Sequence, residues 1–223
     1  MSDSAEILSP AERLRARILQ GQGRFSVLVA TTLIWTMDTL VQRRLEAVGL
    51  MDSGIGASMI GVERVSTYVF VVTTLMLLVA LLKPYPNLII RFAAVYVGFA
   101  AIQVVGNVLG MVTSAHLLVG DGLSSLWDVG AVYLMTVTVF MFIYVLMDLT
   151  TPGGAFVWPS REGQPAPTPN LFDYLFISLN VNSTYGPTSE AVMSRATKLI
   201  MATQVLLAIL MLTVLIARAA SAL

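Results

Sequence analysis

The stretch NLFDYLFISLNVNSTYGPT, residues 170–188, decides how this chain is read. Asn170 is a favourable N-cap, and Asp173, three residues on, places a carboxylate where the positive end of a helix favours it. The aromatic and apolar run that follows predicts a helix over 171–182, too short for a bilayer core that takes roughly 20 residues to cross. A polar, glycine-containing turn over 183–188 comes next, and then a long apolar segment over 194–217. A short apolar helix ahead of a spanning helix is either re-entrant or interfacial.

Working outward, the segment 150–170 carries Pro152, Pro159, Pro165, Pro167 and Pro169 and is not helical. Before it, stretches 25–41, 65–82, 89–112 and 127–147 qualify as spans beside 194–217. The first is the shortest and carries Asp38 near its end. The last is bounded by Arg195 and Lys198 at one end and Arg218 at the other, where long basic side chains reach head groups. Composition agrees: 57% of residues are hydrophobic, 12% are charged, and the mean hydropathy is +0.81, more apolar than a soluble domain of 223 residues buries. The expected fold is an all-α integral membrane protein of about five transmembrane helices. It divides into an N-terminal segment 1–24, a three-helix scaffold 25–112 and a C-terminal module 127–223.

At the N-terminus, Ser9, Pro10 and Glu12 combine a cap, a first-turn proline and a capping-box acid. The next turns put Leu14 and Ile18 on one side with Arg13, Arg15 and Arg17 around them, which reads as an amphipathic interfacial helix; a disordered basic tail is the alternative. No small-residue cleavage site follows the first apolar run, so no signal peptide is expected.

The composition also excludes chemistry. Zero formal net charge gives no reason to expect a nucleic-acid partner. Absence of cysteine removes disulfides, iron–sulfur clusters and thiol catalysis, and one histidine, His116, removes bis-histidine haem. No cofactor, metal site or catalytic residue is expected. Asp38, His116, Asp121, Asp128 and Asp148 are scattered mostly near span ends rather than converging, so an enzyme ranks last. Alternating-access transport is disfavoured by the lack of an inverted repeat.

Asp173 to Leu179, then Ser183-Thr184-Tyr185-Gly186-Pro187-Thr188, then Arg195 leading an apolar helix, resembles the pore helix, filter and inner helix of potassium-channel-like pore-loop channels. The chain is also similar to uncharacterised bacterial five-span membrane proteins with such an end. The resemblance implies an outer helix 127–147, a pore helix 171–182, a filter-like turn 183–188 and an inner helix 194–217. It implies a homotetramer in the bacterial inner membrane, with the lipid bilayer, copies of itself and small inorganic ions as partners. Asn180, Asn182, Ser183, Thr184, Tyr185, Gly186, Pro187 and Thr188 would form the ion pathway. The departure is Gly186-Pro187: proline removes an N–H and pushes Gly186 toward an extended conformation, which argues against a potassium-type carbonyl ladder. Short polar groups in a ring imply a weakly selective, hydrated pathway instead.

On the last helix, Thr197, Met201, Gln204, Ala208 and Met211 share a stripe that reads either as pore lining or, for Gln204, as a hydrogen bond to a neighbouring helix. Glu190, Arg195 and Lys198 are candidate mouth charges. Helix C-terminal dipoles at Asn182 favour cations modestly; the basic pair favours anions. Gln103, Asn107 and the Gly106–Gly110 spacing in the third span read mainly as helix packing, and Asp38 as a local partner of Arg43 and Arg44. His116 reads as a loop or core residue rather than a proton sensor, and the methionines as apolar packing.

Five spans and the positive-inside rule put the N-terminus and the 150–170 loop in the cytoplasm, inverted relative to potassium channels. If the Asp38 segment is not a full span, the conventional orientation returns. The expected function is a homotetrameric pore-loop ion channel of weak selectivity. The competing class is a non-conducting membrane scaffold or partner-binding module.

Overall fold

A computed structural model describes residues 9–19, 21–47, 65, 67–76, 79, 86–113, 122–160, 166–183, 185 and 190–221. The elements are α1 (Pro10–Leu19), α2 (Gly21–Ala47), α3 (Thr67–Met76), α4 (Pro86–Thr113), α5 (Gly122–Thr150), β1 (Phe156–Val157), α6 (Leu171–Asn182), β2 (Ala191–Val192) and α7 (Arg195–Ser221). The chain is predominantly helical. Ile90–Leu109, Val129–Thr150 and Arg195–Ala217 are long and apolar enough to cross a membrane. The 65–82 stretch is described as an apolar helix over Thr67–Met76, and α2, at 27 residues, has the length of a span but a more polar sequence.

Local chemistry sets the helix ends. Ser9 and Glu12 close the expected capping box, with Ser9 N donating to Glu12 Oε2 at 2.7 Å and Glu12 N to Ser9 Oγ at 3.3 Å. Pro86 opens α4 at the first-turn position that tolerates a residue without an N–H. At the other end of α5, Pro152 and the left-handed Gly153 (φ 76°) and Gly154 (φ 94°) turn the chain away. Inside the apolar helices, hydroxyls of Thr32, Thr36, Thr138, Thr203 and Thr213 donate to the carbonyl four residues back, which satisfies those hydroxyl hydrogens within their own helices.

Cross-helix bonds fix directions. Tyr96 Oη donates to the Thr31 carbonyl and Gln103 Nε2 to Asp38 Oδ2 at 2.6 Å, so α2 and α4 ascend together. Tyr144 Oη donates to Gln204 Oε1, and Thr136 Oγ1 contacts Met211 Sδ, so α5 and α7 run oppositely. Thr138 Oγ1 contacts Met37 Sδ and Asn107 Nδ2 donates to Met135 Sδ, which makes α5 antiparallel to α2 and α4 as well. Helix α5 is the hub, packing on α1, α2, α4, α6 and α7. One face of the molecule therefore carries α1, the start of α2, α4 and α7, the end of α5 and the start of α6.

Several expectations are corrected here. Asp38 is buried and accepts from Gln103 on α4, so it has a partner across the bundle besides any on its own helix. Among the described residues Gly106 marks no close helix contact, because a Cβ there would meet nothing within 4 Å. Helix α1 is docked on protein: Ala11 and Leu14 are buried, and Arg13 donates to Thr168 Oγ1 at 3.1 Å and to the Ala166 carbonyl. His116, Asp121, the side chains of Ile18 and Asp128 and the surroundings of Gly110 lie outside what is described.

Candidate functional site

Helix α6 spans Leu171–Asn182 as the capping signal predicts. Asn170 Oδ1 accepts from Phe172 N at 2.7 Å and Asp173 N at 3.3 Å, while Asp173 Oδ2 accepts from Asn170 N at 2.7 Å. Tyr174, Ile177, Ser178, Val181 and Asn182 form its buried face, at the spacing of one helical stripe. Leu171, Phe172, Phe176 and Leu179 form an exposed apolar face.

The buried face is held at both ends by polar groups. At the outer end, Asp148 near the end of α5 accepts four hydrogen bonds: from Ala155 N (2.7 Å), Phe156 N (3.2 Å), Trp158 Nε1 (3.3 Å) and Tyr174 Oη (2.6 Å). Its oxygens thus tie the chain leaving α5, strand β1 and helix α6 to one point. Rings close around it, with Trp158 and Tyr174 edge to face at 5.3 Å and Phe156 edge to face with both Tyr144 and Tyr174. Strand β1 pairs antiparallel with β2, Phe156 opposite Val192 and Val157 opposite Ala191. The chain that leaves α6 therefore comes back to the place where the loop began.

At the inner end, Gln204 on α7 is fully buried. Its Nε2 donates to the Ser178 carbonyl and Ser178 Oγ, both at 3.0 Å, and approaches Asn182 Oδ1 at 3.4 Å. Ser178 Oγ in turn donates to the Val137 carbonyl of α5 at 2.8 Å. One side chain thus links α5, α6 and α7 through a connected polar network in an apolar bundle, where an unmet polar group is costly.

Thr197, Met201, Gln204, Ala208 and Met211 do share one face of α7, but that face is turned into the chain's own core. A stripe covered by its own α5 and α6 does not line a conduit between copies, so the pore-lining assignment is corrected. The open face of α7 presents Leu199, Ala202, Thr203, Leu206 and Thr213.

The turn is only partly described. Ser183 and Tyr185 are exposed, Asn180 is half-buried, Asn182 is buried, and Thr184, Gly186, Pro187 and Thr188 lie outside the described residues. Ser183 N donates to the Leu179 carbonyl, and Tyr185 N and Ser183 Oγ donate to the Asn180 carbonyl. These two carbonyls at the end of α6 are thus already taken by the turn's own donors. The Nδ2 atoms of Asn180 and Asn182 are buried with no partner among the described residues. Arg195 and Lys198 are exposed at the start of α7, and Glu190 is half-buried beside β2. Among the described residues no group of acids and histidines has the makings of a metal site.

Asp148 is the residue that sequence reasoning passed over as one acid among several at span ends. Its signal was available: a carboxylate in the last turn of a helix opposes the helix dipole, and it stands just before a Pro-Gly-Gly turn whose N–H groups need an acceptor.

No protein-family model, no curated protein and no solved structure matches this chain.

Proposed function

We propose that the chain is the subunit of a membrane pore in which α6 is a re-entrant helix and the turn after it bounds a hydrated ion pathway between four copies. The observation that carries this reading is the Gln204–Ser178–Asn182 network. Gln204 lies nine residues into α7 from Arg195, about 13 Å along a helix that rises 1.5 Å per residue. Against a hydrocarbon core of about 30 Å, the inner end of α6 then stands near mid-depth rather than at the surface. The pairing of β1 with β2 brings the chain back to the face it left. A segment that enters to mid-depth and returns is what a re-entrant loop requires, and its backbone is tolerated there only against protein or a water-filled space.

On this reading the five-span arrangement holds, with α2 and α3 as the scaffold spans beside α4. The unmatched Nδ2 atoms of Asn180 and Asn182 give the inner end of α6 two donors for water, which suits an ion that keeps part of its hydration shell. Cations remain modestly preferred, weakened by Arg195 and Lys198 near the mouth and by the capped carbonyls of Leu179 and Asn180. The conduit would be lined by the open face of α7, with Leu199 and Leu206 as apolar constrictions and Thr203 and Thr213 beside them.

The inward-facing stripe on α7 favours a second reading, a non-conducting membrane scaffold, because it spends the helix's polar residue on holding α6. Reconstitution into liposomes separates the two. A verified tetramer that passes small ions supports the pore; a monomer, or a tetramer with no flux across several ions and a range of pH, supports the scaffold.

A further inference from the structure

The shared face of the bundle carries an uneven charge. Helix α1 places Arg13, Arg15 and Arg17 there, and the first turns of α4 and α7 add Arg91, Arg195 and Lys198. Among these, Arg15, Arg17, Arg91, Arg195 and Lys198 have exposed side chains. Of the described acids on the same face, Glu190 is half-buried beside β2 and the other three serve the fold. Glu12 closes the α1 capping box, Asp173 closes the α6 capping box, and Asp148 is buried in its ring of four donors. Capping and folding thus hold these three carboxylates against the chain, while the exposed basic side chains point out of the face. At the far ends of the same helices, α2 ends near Arg43 and Arg44 and α7 near Arg218.

Two contacts determine which segments share that face. The Arg13 guanidinium grips Thr168 and Ala166 in the proline-rich segment ahead of α6, so α1 and that segment are on one side of the molecule. Helix α2 ascends beside α4 through Thr31 and Asp38, so the starts of α2 and α4 lie at the same end of the bundle.

We propose that this face seats against anionic phospholipid headgroups of the cytoplasmic leaflet, with Arg17 on α1 and Arg91 on α4 as the phosphate contacts. Short segments rich in Lys and Arg are retained in the cytoplasm, and that leaflet carries the negative surface potential that attracts them. Arginine matches phosphate oxygens in bidentate geometry, and both side-chain types reach the headgroups while their stems stay against apolar surface. Each such contact is worth roughly fivefold in preference for an anionic lipid. If α6 is re-entrant, the turn over 183–188 then opens toward the cytoplasm; this last step alone rests on the functional reading above.

The absence of cysteine makes the test direct, because a single introduced thiol reports its own side of the membrane. Ala16→Cys on α1 and Ala220→Cys on α7 are exposed positions at opposite ends of the bundle. With a membrane-impermeant maleimide, Ala16→Cys should label only after cells are opened and Ala220→Cys in intact cells. In mixed nanodiscs the full chain should retain phosphatidylglycerol over phosphatidylcholine by more than tenfold. The variant R17Q/R91Q should lose that preference, and R17K/R91K should keep most of it. Labelling of Ala16→Cys in intact cells, no lipid preference in the unaltered chain, or lipid displaced equally well by inorganic phosphate would each overturn the proposal. None of these readouts depends on ion flux, so the pore reading stands or fails separately.

Discussion

Tyr174 donates its hydroxyl hydrogen to Asp148 Oδ2 at 2.6 Å, joining the first turn of the short helix α6 to the last turn of α5 across 26 residues of chain. The intervening segment is proline-rich, and among its described residues β1 is the one regular element between α5 and α6. What orients α6 is therefore a polar anchor, supplemented by Trp158 Nε1 and two backbone N–H groups on the same carboxylate. A buried carboxylate with four donors is favourable only while all four are in place, since each donor left alone in an apolar setting costs its desolvation.

Asp148→Asn should accordingly be the most damaging single change in the C-terminal module. The amide keeps one acceptor oxygen and turns an N–H group toward donors, for a loss of about 3–5 kcal/mol. Tyr174→Phe removes one charge-assisted bond and should cost about 2 kcal/mol. Trp158 sits in the site, so unfolding in detergent followed by tryptophan fluorescence reads both. Equal effects of the two substitutions would mean that the anchor is not organised around the carboxylate.

Gln204→Leu distinguishes a structural tie from a pore-lining amide. It deletes the acceptor for Tyr144 and the donor to Ser178, and should destabilise α6 by about 1–2 kcal/mol. Amide exchange along 171–182 should quicken while the ends of α4 are unaffected. Unchanged exchange with altered ion flux would instead return Gln204 to the conduit.

Helix α6 was legible because its start is written twice, in Asn170 and in Asp173, and because its length cannot serve a span. The periodicity of α7 was equally legible, but not its direction: spacing says that Thr197 and Gln204 share a face, and only the position of Ser178 says which way that face points. In an apolar helix the side turned to lipid and the side turned to protein have similar composition, so the pattern that reveals an interior in water is silent here. The partner of Asp38 across the bundle was missed for a related reason. Nearby arginines on the same helix were visible in sequence, whereas Gln103 lies 65 residues away.

Two glycine substitutions should move stability in opposite directions. At Gly154, φ is +94° and a Cβ would stand 2.9 Å from Asp148 Oδ1 and 3.2 Å from Ala11 Cβ. Gly154→Ala should therefore cost at least about 1–3 kcal/mol and weaken the seat of α1 as well as the Asp148 anchor. At Gly98, in the middle of α4, a Cβ would meet nothing within 4 Å. There Gly98→Ala should stabilise the helix by roughly 0.5–1 kcal/mol. Melting temperatures of the two variants on opposite sides of the parent would bear this out; a stabilising Gly154→Ala would contradict the turn geometry.

The α1 cap supplies a pH dependence of known sign. Hydrogen bonds from the Ser9 backbone N–H, chiefly, and from its hydroxyl hold the Glu12 carboxyl below the usual carboxylate range. A group whose pKa is lowered on folding contributes fully above its unfolded pKa, and the contribution is lost as pH falls through the folded value. Acidification below the ordinary carboxylate range should therefore loosen the start of α1 and, through Arg13, its grip on Thr168. An environment-sensitive fluorophore at Ala16→Cys should report this loosening. With Glu12→Gln added, that part of the acid response should disappear, because the amide still reaches Ser9 but does not titrate. An identical acid transition in the Glu12→Gln protein would assign the effect to another carboxylate and remove the capping box from the explanation.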